Sequence, residues 1–276
     1  MSKNSELERR QIQFYEFPNM ESGFGFHFKR MRNSNSPDIG HGRDLPVPES
    51  CEDDEARELF LQSGEHDASV VFSALANHGV DLQTGPGRIL DFGSGHARVL
   101  RWFHQWANHH EAWGVDPDAS KVIWCHERMS PPFHFAVSTS APCLFFEDNF
   151  FSLVMATSMF TRLDDLFMSW INELRRVAKP EGFIYITIND ENTREHLKVA
   201  EPGNYRYFMT DPVYRAFIEN GTDFCSRGRN WWADVSVKRE YMTDYLSRYF
   251  DILAVIENAV LPSHQTGILL RNRSRS

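Results

Sequence analysis

Between Arg88 and Ala107 the chain passes through a sequence of local structures that few folds accommodate. A short apolar run, Arg88-Ile89-Leu90-Asp91-Phe92, leads straight into Gly93-Ser94-Gly95 and then into a helical stripe of Val99, Phe103, Trp106 and Ala107 over residues 96–108. A buried strand, a glycine turn and a helix in that order form the opening unit of a parallel sheet, whose neighbouring strands are joined by crossovers.

The unit repeats. Ala112–Val115 reads as a second strand with a helix from Ala119 to Arg128 behind it, and Phe133–Val137 and Phe151–Thr157 as the third and fourth strands. Leu166, Trp170, Leu174 and Val177 give the next helix its stripe; Pro180 and Gly182 end it and open a fifth strand at 183–188. After Asn189 the rhythm lapses into a polar, aromatic-rich stretch until a helix near Thr243–Tyr249 and two closing strands, Phe250–Val255 and Thr266–Leu270. The expected fold class is α/β, a Rossmann-like doubly wound seven-stranded sheet, mostly parallel, with an antiparallel final strand. Residues 1–50 read as a partly irregular N-terminal arm, and 51–276 as the main domain, with a substrate-cap insertion at about 190–245. Glu52–His78 reads as helix with a break at Gly64.

Composition narrows the function classes. With 276 residues, 41% of them hydrophobic, the chain is long enough for a substantial core. No run approaches the roughly 20 apolar residues of a membrane span, and MSKNSELERRQIQ lacks a secretory apolar stretch, so a cytoplasmic location is expected. Cys51, Cys125, Cys143 and Cys225 lie far apart and read as reduced thiols. The net charge of −9 disfavours a nucleic-acid partner, and the clusters Lys29, Arg30, Arg32 and Arg271, Arg273, Arg275 read as solvated charge. His104, His109 and His110 have no acidic or cysteine partner at ligand spacing, so no metal is expected.

The chemistry concentrates in the glycine turn. Glycines let a ligand approach the backbone, and the helix behind presents free N–H groups to it. Asp116 follows the second strand, 21 residues beyond Gly95, where a carboxylate can accept hydrogen bonds from both hydroxyls of a ribose. Asp118 is the better cap for the following helix. A dinucleotide fingerprint would place its third glycine at position 98, but Arg98 stands there. Asp91, just ahead of the glycines, suits a cationic amino-acid end better than a pyrophosphate.

These segments resemble the class I S-adenosylmethionine-dependent methyltransferases. ILDFGSGHARVLRW is similar to that family's first motif, WGVDPD to its second, FEDNFFSLVMATSMFTRL to its fourth-strand segment and NELRRVAKPEGFIYIT to its helix–Lys-Pro-x-Gly–strand segment, in order over about residues 85–190. The resemblance implies S-adenosylmethionine as cofactor, with Asp91, Gly93, Ser94 and Gly95 along its methionine end, Asp116 and Pro117 at the ribose, Val137–Thr139 (Ser138 above all) at the adenine, and Thr157 by the methyl group. Ser158 and Arg162 would border the acceptor. Ala97 replaces a frequent third glycine, a mild change if it opens a helix, and Arg162 stands where relatives often carry His.

The acceptor is expected to be a small molecule, methylated on O, N or C. Tyr205, Tyr207, Trp231 and Trp232 are candidate pocket walls, and His264, His196 and Glu240 candidate bases. Two other classes compete. Aminopropyl transfer would call for an acidic amine-binding motif after the fourth strand, where Thr157-Ser158 stands instead. A non-catalytic scaffold would have no need of an intact Asp91, Gly93, Gly95 and Asp116 set.

Overall fold

The computed structural model describes residues 42–80, 87–164, 166–227 and 234–274. Residues 1–41 of the N-terminal arm and both Trp231 and Trp232 lie outside them. A long helix α1 (Asp54–Ala76) precedes β1 (Ile89–Phe92), a 3-10 turn at Leu100–Phe103 and the short α2 (His104–His109). Then come β2 (Ala112–Asp116), α3 (Ala119–Met129), β3 (His134–Val137), β4 (Phe151–Ala156), α4 (Phe167–Val177) and β5 (Ala178–Ile188). The insertion holds α5 (Glu191–Ala200), α6 (Pro202–Phe208), α7 (Pro212–Asn220) and a hairpin of β6 (Phe224–Arg227) and β7 (Asp234–Val237). The chain closes with α8 (Arg239–Ser247), β8 (Phe250–Val260) and β9 (Gln265–Asn272).

Seven strands form one sheet in the order β3-β2-β1-β4-β5-β9-β8, parallel from β3 through β5. The final strand, β9, runs antiparallel to both its neighbours and slots between β5 and β8. β1 and β2 are buried along their whole length, as a sheet covered on both faces requires. One apolar layer gathers Phe92, Val154, Trp170 and Ile184 under α4; the other gathers Val71, Leu75, Phe103 and Tyr185 under α1. Of the tail arginines, Arg271 and Arg273 pair with Asp251 at 3.0 and 2.8 Å. Among the described residues no helix is long and apolar enough to cross a membrane.

Several expectations need correction. α1 does not break at Gly64. A Cβ there would lie 2.2 Å from the carbonyl oxygen of Arg98, so the glycine serves close packing instead of a bend. Residues 96–108 are not one helix: turns and a 3-10 segment precede α2. Ala97 is fully buried at φ 56°, so it does not open a helix but occupies a left-handed position, at a cost of about 1 kcal/mol. β5 begins at Ala178, which pairs with Phe151; Lys179–Gly182 then bulges, with Glu181 at φ 60°, before Phe183 resumes register against Leu153. The stretch after Asn189 is largely helical. Asp190 and Asp211 cap α5 and α7 through Asn192 N and Val213 N, at 3.0 and 2.8 Å. α8 starts at Arg239, earlier than its apolar pattern indicates.

Candidate cofactor and acceptor site

The C-terminal ends of β1, β2, β3 and β4 open into one cavity of about 1400 Å³. Its floor is the glycine turn. Gly93 N and Ser94 N both donate to Val115 O, at 2.8 and 3.0 Å, which ties the turn to β2. Gly93 has φ 78° and Gly95 φ 54°, a region that favours glycine. A Cβ on Gly93 would strike Met159 Sδ at 1.9 Å, whereas one on Gly95 would meet nothing within 4 Å. The first glycine admits the turn after β4, and the second faces open space.

Asp116 closes β2 and is 8% exposed. Gly95 N donates to its Oδ2 at 2.9 Å and Asp118 N to its Oδ1 at 2.8 Å. Two oxygens offer about four acceptor sites, so the carboxylate retains capacity for further donors. Asp118 caps α3 through Ser120 N at 3.0 Å. Asp91 is 3% exposed. Burial pushes its carboxyl up to about 7, and the neighbouring Asp116 adds to the rise; Arg98 and the Leu100 N–H pull the other way. A buried carboxyl with so little local compensation is suited to a cationic partner.

Three more hydroxyls complete this half. Ser94, Ser138 and Thr157 line the cavity, are 6%, 7% and 8% exposed, and their oxygens have no hydrogen-bond partner. Buried polar atoms are nearly always paired, so these fit a polar ligand in the cavity. Pro117 lines it too, whereas Val137 turns outward and is 47% exposed.

The other half lies beyond β4. Ser158, Met159, Arg162, Leu163 and Asp164 line it, joined from the hairpin by Ser226, whose buried hydroxyl also lacks a partner. Ser158 sits at φ 60°. It is held by Thr187 Oγ1, which accepts from its N–H at 2.7 Å, and by Gln265 Oε1, which accepts from its hydroxyl at 3.2 Å. Thr187 also donates to Gln265 Oε1 at 2.7 Å. The hairpin docks on the same turn through Val235 N, which donates to Thr161 O at 2.9 Å.

All eight residues expected along the cofactor, together with Ser158 and Arg162, thus share one cavity. Tyr205 and Tyr207 do not line it, and α6, which carries them, has no buried residue. The candidate bases also lie elsewhere. His196 and His264 stack on each other at 3.3 Å, and Glu240 lines a separate groove with Glu191, Arg239 and Glu257. Ser226 and Gln265 escaped the sequence reading because each is a lone polar residue outside any motif, and Thr187 because it is a single threonine near the end of an otherwise apolar strand segment. The Gln265 contacts join elements far apart in the chain.

Residues 90–186 match the family model for a methyltransferase domain. No curated protein matches the sequence. Among solved structures, the chain is similar to an S-adenosylmethionine-dependent methyltransferase of Methanosarcina mazei, at 17% identity and a TM-score of 0.53, over 73% of this chain and 98% of that one. It is also similar to one from Clostridium acetobutylicum (10% identity, TM-score 0.52, 76% and 92% covered). A Pyrococcus horikoshii protein has the same fold (16% identity, TM-score 0.51, 74% and 90% covered). Residues 90–186 thus form a methyltransferase domain, with S-adenosylmethionine as its cofactor.

Proposed function

We propose that the enzyme methylates a small molecule held between the turn after β4 and the β6–β7 hairpin. The observation that carries this reading is the continuity of the cavity, from Asp116 past Asp91 to Thr157, Ser158, Arg162 and the hairpin's Ser226. Cofactor and acceptor then share one space, as in-line transfer requires. The 190–245 insertion acts as the substrate cap, and the net charge of −9 favours a small acceptor over a polyanion.

S-adenosylmethionine supplies an electrophilic methyl group on a sulfonium. The chain's own residues bind and orient: Asp116 accepts from the ribose hydroxyls, Ser138 serves the adenine, and Asp91 faces the ammonium of the methionine end. Thr157 and Ser158 border the methyl group and the acceptor. His196, His264 and Glu240 do not line the cavity, so they take no proton from the acceptor. Calorimetric titration tests the reading: S-adenosylmethionine and S-adenosylhomocysteine should bind in the micromolar range and NAD should not. Absence of binding by the first two would refute it.

Asp91 gives this binding a pH signature. Its carboxyl stands at about 7 in the free protein, and an ammonium beside it favours the ionised form. Below about pH 7 the cofactor must displace a proton, so affinity should fall as pH drops from 7 to 6 and level off above about 7.5. Calorimetry in buffers of different ionisation enthalpy should find close to one proton released near pH 6 and almost none near pH 8. Free-protein stability carries the opposite sign. The folded state takes up this proton before the unfolded chain does, so the group adds stability as pH falls from about 7 towards 4.

A further inference from the structure

The methionine end of the cofactor is a zwitterion, and the site as described so far answers only its ammonium. A carboxylate brought into the same cavity needs a donor of its own.

Arg98 is placed to provide it. It follows the glycine turn by three residues, lines the cavity, and its Nη1 is enclosed by protein without a hydrogen-bond partner. The other end of its fork is anchored: Nη2 lies 2.6 Å from Asp67 Oδ2, and Asp67 is 1% exposed. The anchor depends on α1. Gly64 and Asp67 are one helical turn apart, so the glycine that lets the helix meet the Arg98 backbone also brings the carboxylate to its guanidinium. Asp91 lies close enough to feel the Arg98 charge.

The cavity's other cations are differently engaged. Lys121 lies 3.4 Å from Asp118, at the ribose end, and Arg162 lies beyond β4 on the acceptor side. His96 is held towards its neutral form, first by burial and then by Lys121.

Resting on the cofactor assignment above, we propose that Arg98 binds the carboxylate of the methionine end. With Asp91 it forms a charge-paired clamp that makes the enzyme reject decarboxylated cofactor. Asp67 is then a positioning residue, fixing the guanidinium through its Nη2.

The test compares S-adenosylhomocysteine with S-adenosyl-thiopropylamine, the same thioether without its carboxylate, by calorimetry on the full chain. The wild type should prefer the carboxylate-bearing ligand by roughly ten- to hundredfold. Arg98→Gln should bring the two ligands within about threefold of each other by weakening the first alone, and Arg98→Lys should keep part of the preference. If Arg98→Gln leaves Asp67 too costly to bury, the double variant Asp67→Asn, Arg98→Gln removes both charges and should show the same levelling. Equal binding by the wild type overturns the proposal, whatever the variants do. So does a folded Arg98→Gln variant with its preference intact. If the wild type binds neither ligand, the cofactor assignment fails and this inference falls with it.

Discussion

Replacing Asp116 with alanine should weaken S-adenosylhomocysteine binding by at least about a hundredfold. Hydrogen bonds to a charged group contribute roughly 1.5–3 kcal/mol each, and two ribose hydroxyls would lose their acceptor together. About 3 kcal/mol corresponds to slightly more than two decades of affinity. The substitution also strips Gly95 N and Asp118 N of their shared acceptor, so the glycine turn loosens. Asp116→Asn separates the two roles: it keeps one carbonyl oxygen and the residue's shape, and should lose nearer tenfold. Should Asp116→Ala fold and bind with unchanged affinity, the ribose assignment is wrong and the carboxylate serves only to tie β1 to β2.

Gly64→Ala should be strongly destabilising. The added carbon would lie 2.2 Å from Arg98 O and 2.9 Å from Trp102 Nε1. A backbone carbonyl cannot swing aside as a side-chain end can, so α1 must retreat from the glycine turn. Overpacking of this kind costs about 1–3 kcal/mol or more, against about 1 kcal/mol gained in helix propensity. A net loss near 2 kcal/mol should lower Tm by roughly 4–8 °C. Because α1 carries Asp67, the same retreat should also weaken S-adenosylhomocysteine binding through Arg98. Gly203→Ala is the control. A Cβ there meets nothing within 4 Å in the exposed α6, so Tm should hold or rise slightly. If Gly64→Ala is equally silent, close packing is not why glycine stands there.

The same glycine shows where the sequence runs short. A glycine inside an apolar helical pattern reads identically whether it bends the helix or admits a neighbour, and the neighbour that decides is Arg98, in another element. Ala97 has the same ambiguity, since only the observed backbone distinguishes a helix start from a left-handed turn. By contrast β1, β2 and their connection were legible. Buried parallel strands leave unbroken apolar runs, and a turn that must admit a ligand leaves glycines and a carboxylate at fixed spacing. The insertion was the least legible region. α5 and α6 have no buried residue, so they leave no strong apolar stripe. Their termini still carried signals: an aspartate cap opens α5, and Asp211-Pro212 opens α7.

The position of β9 sets an order on how the molecule is made. Gln265–Asn272 is synthesised after every other strand of the large sheet, yet it lies inside that sheet, between β5 and β8. Until it emerges from the ribosome, one edge of β5 has no partner and β8 has nothing in the sheet to pair with. The cofactor floor built by β1, β2 and β4 is complete in the nascent chain well before Gln265 arrives to brace Ser158. The two halves of the cavity are therefore born at different times: the half assigned to the cofactor can form on an unfinished chain, whereas the half assigned to the acceptor waits for the last strand. For that interval β5 offers an open pairing edge, the kind of surface at which chaperones or a neighbouring nascent chain engage.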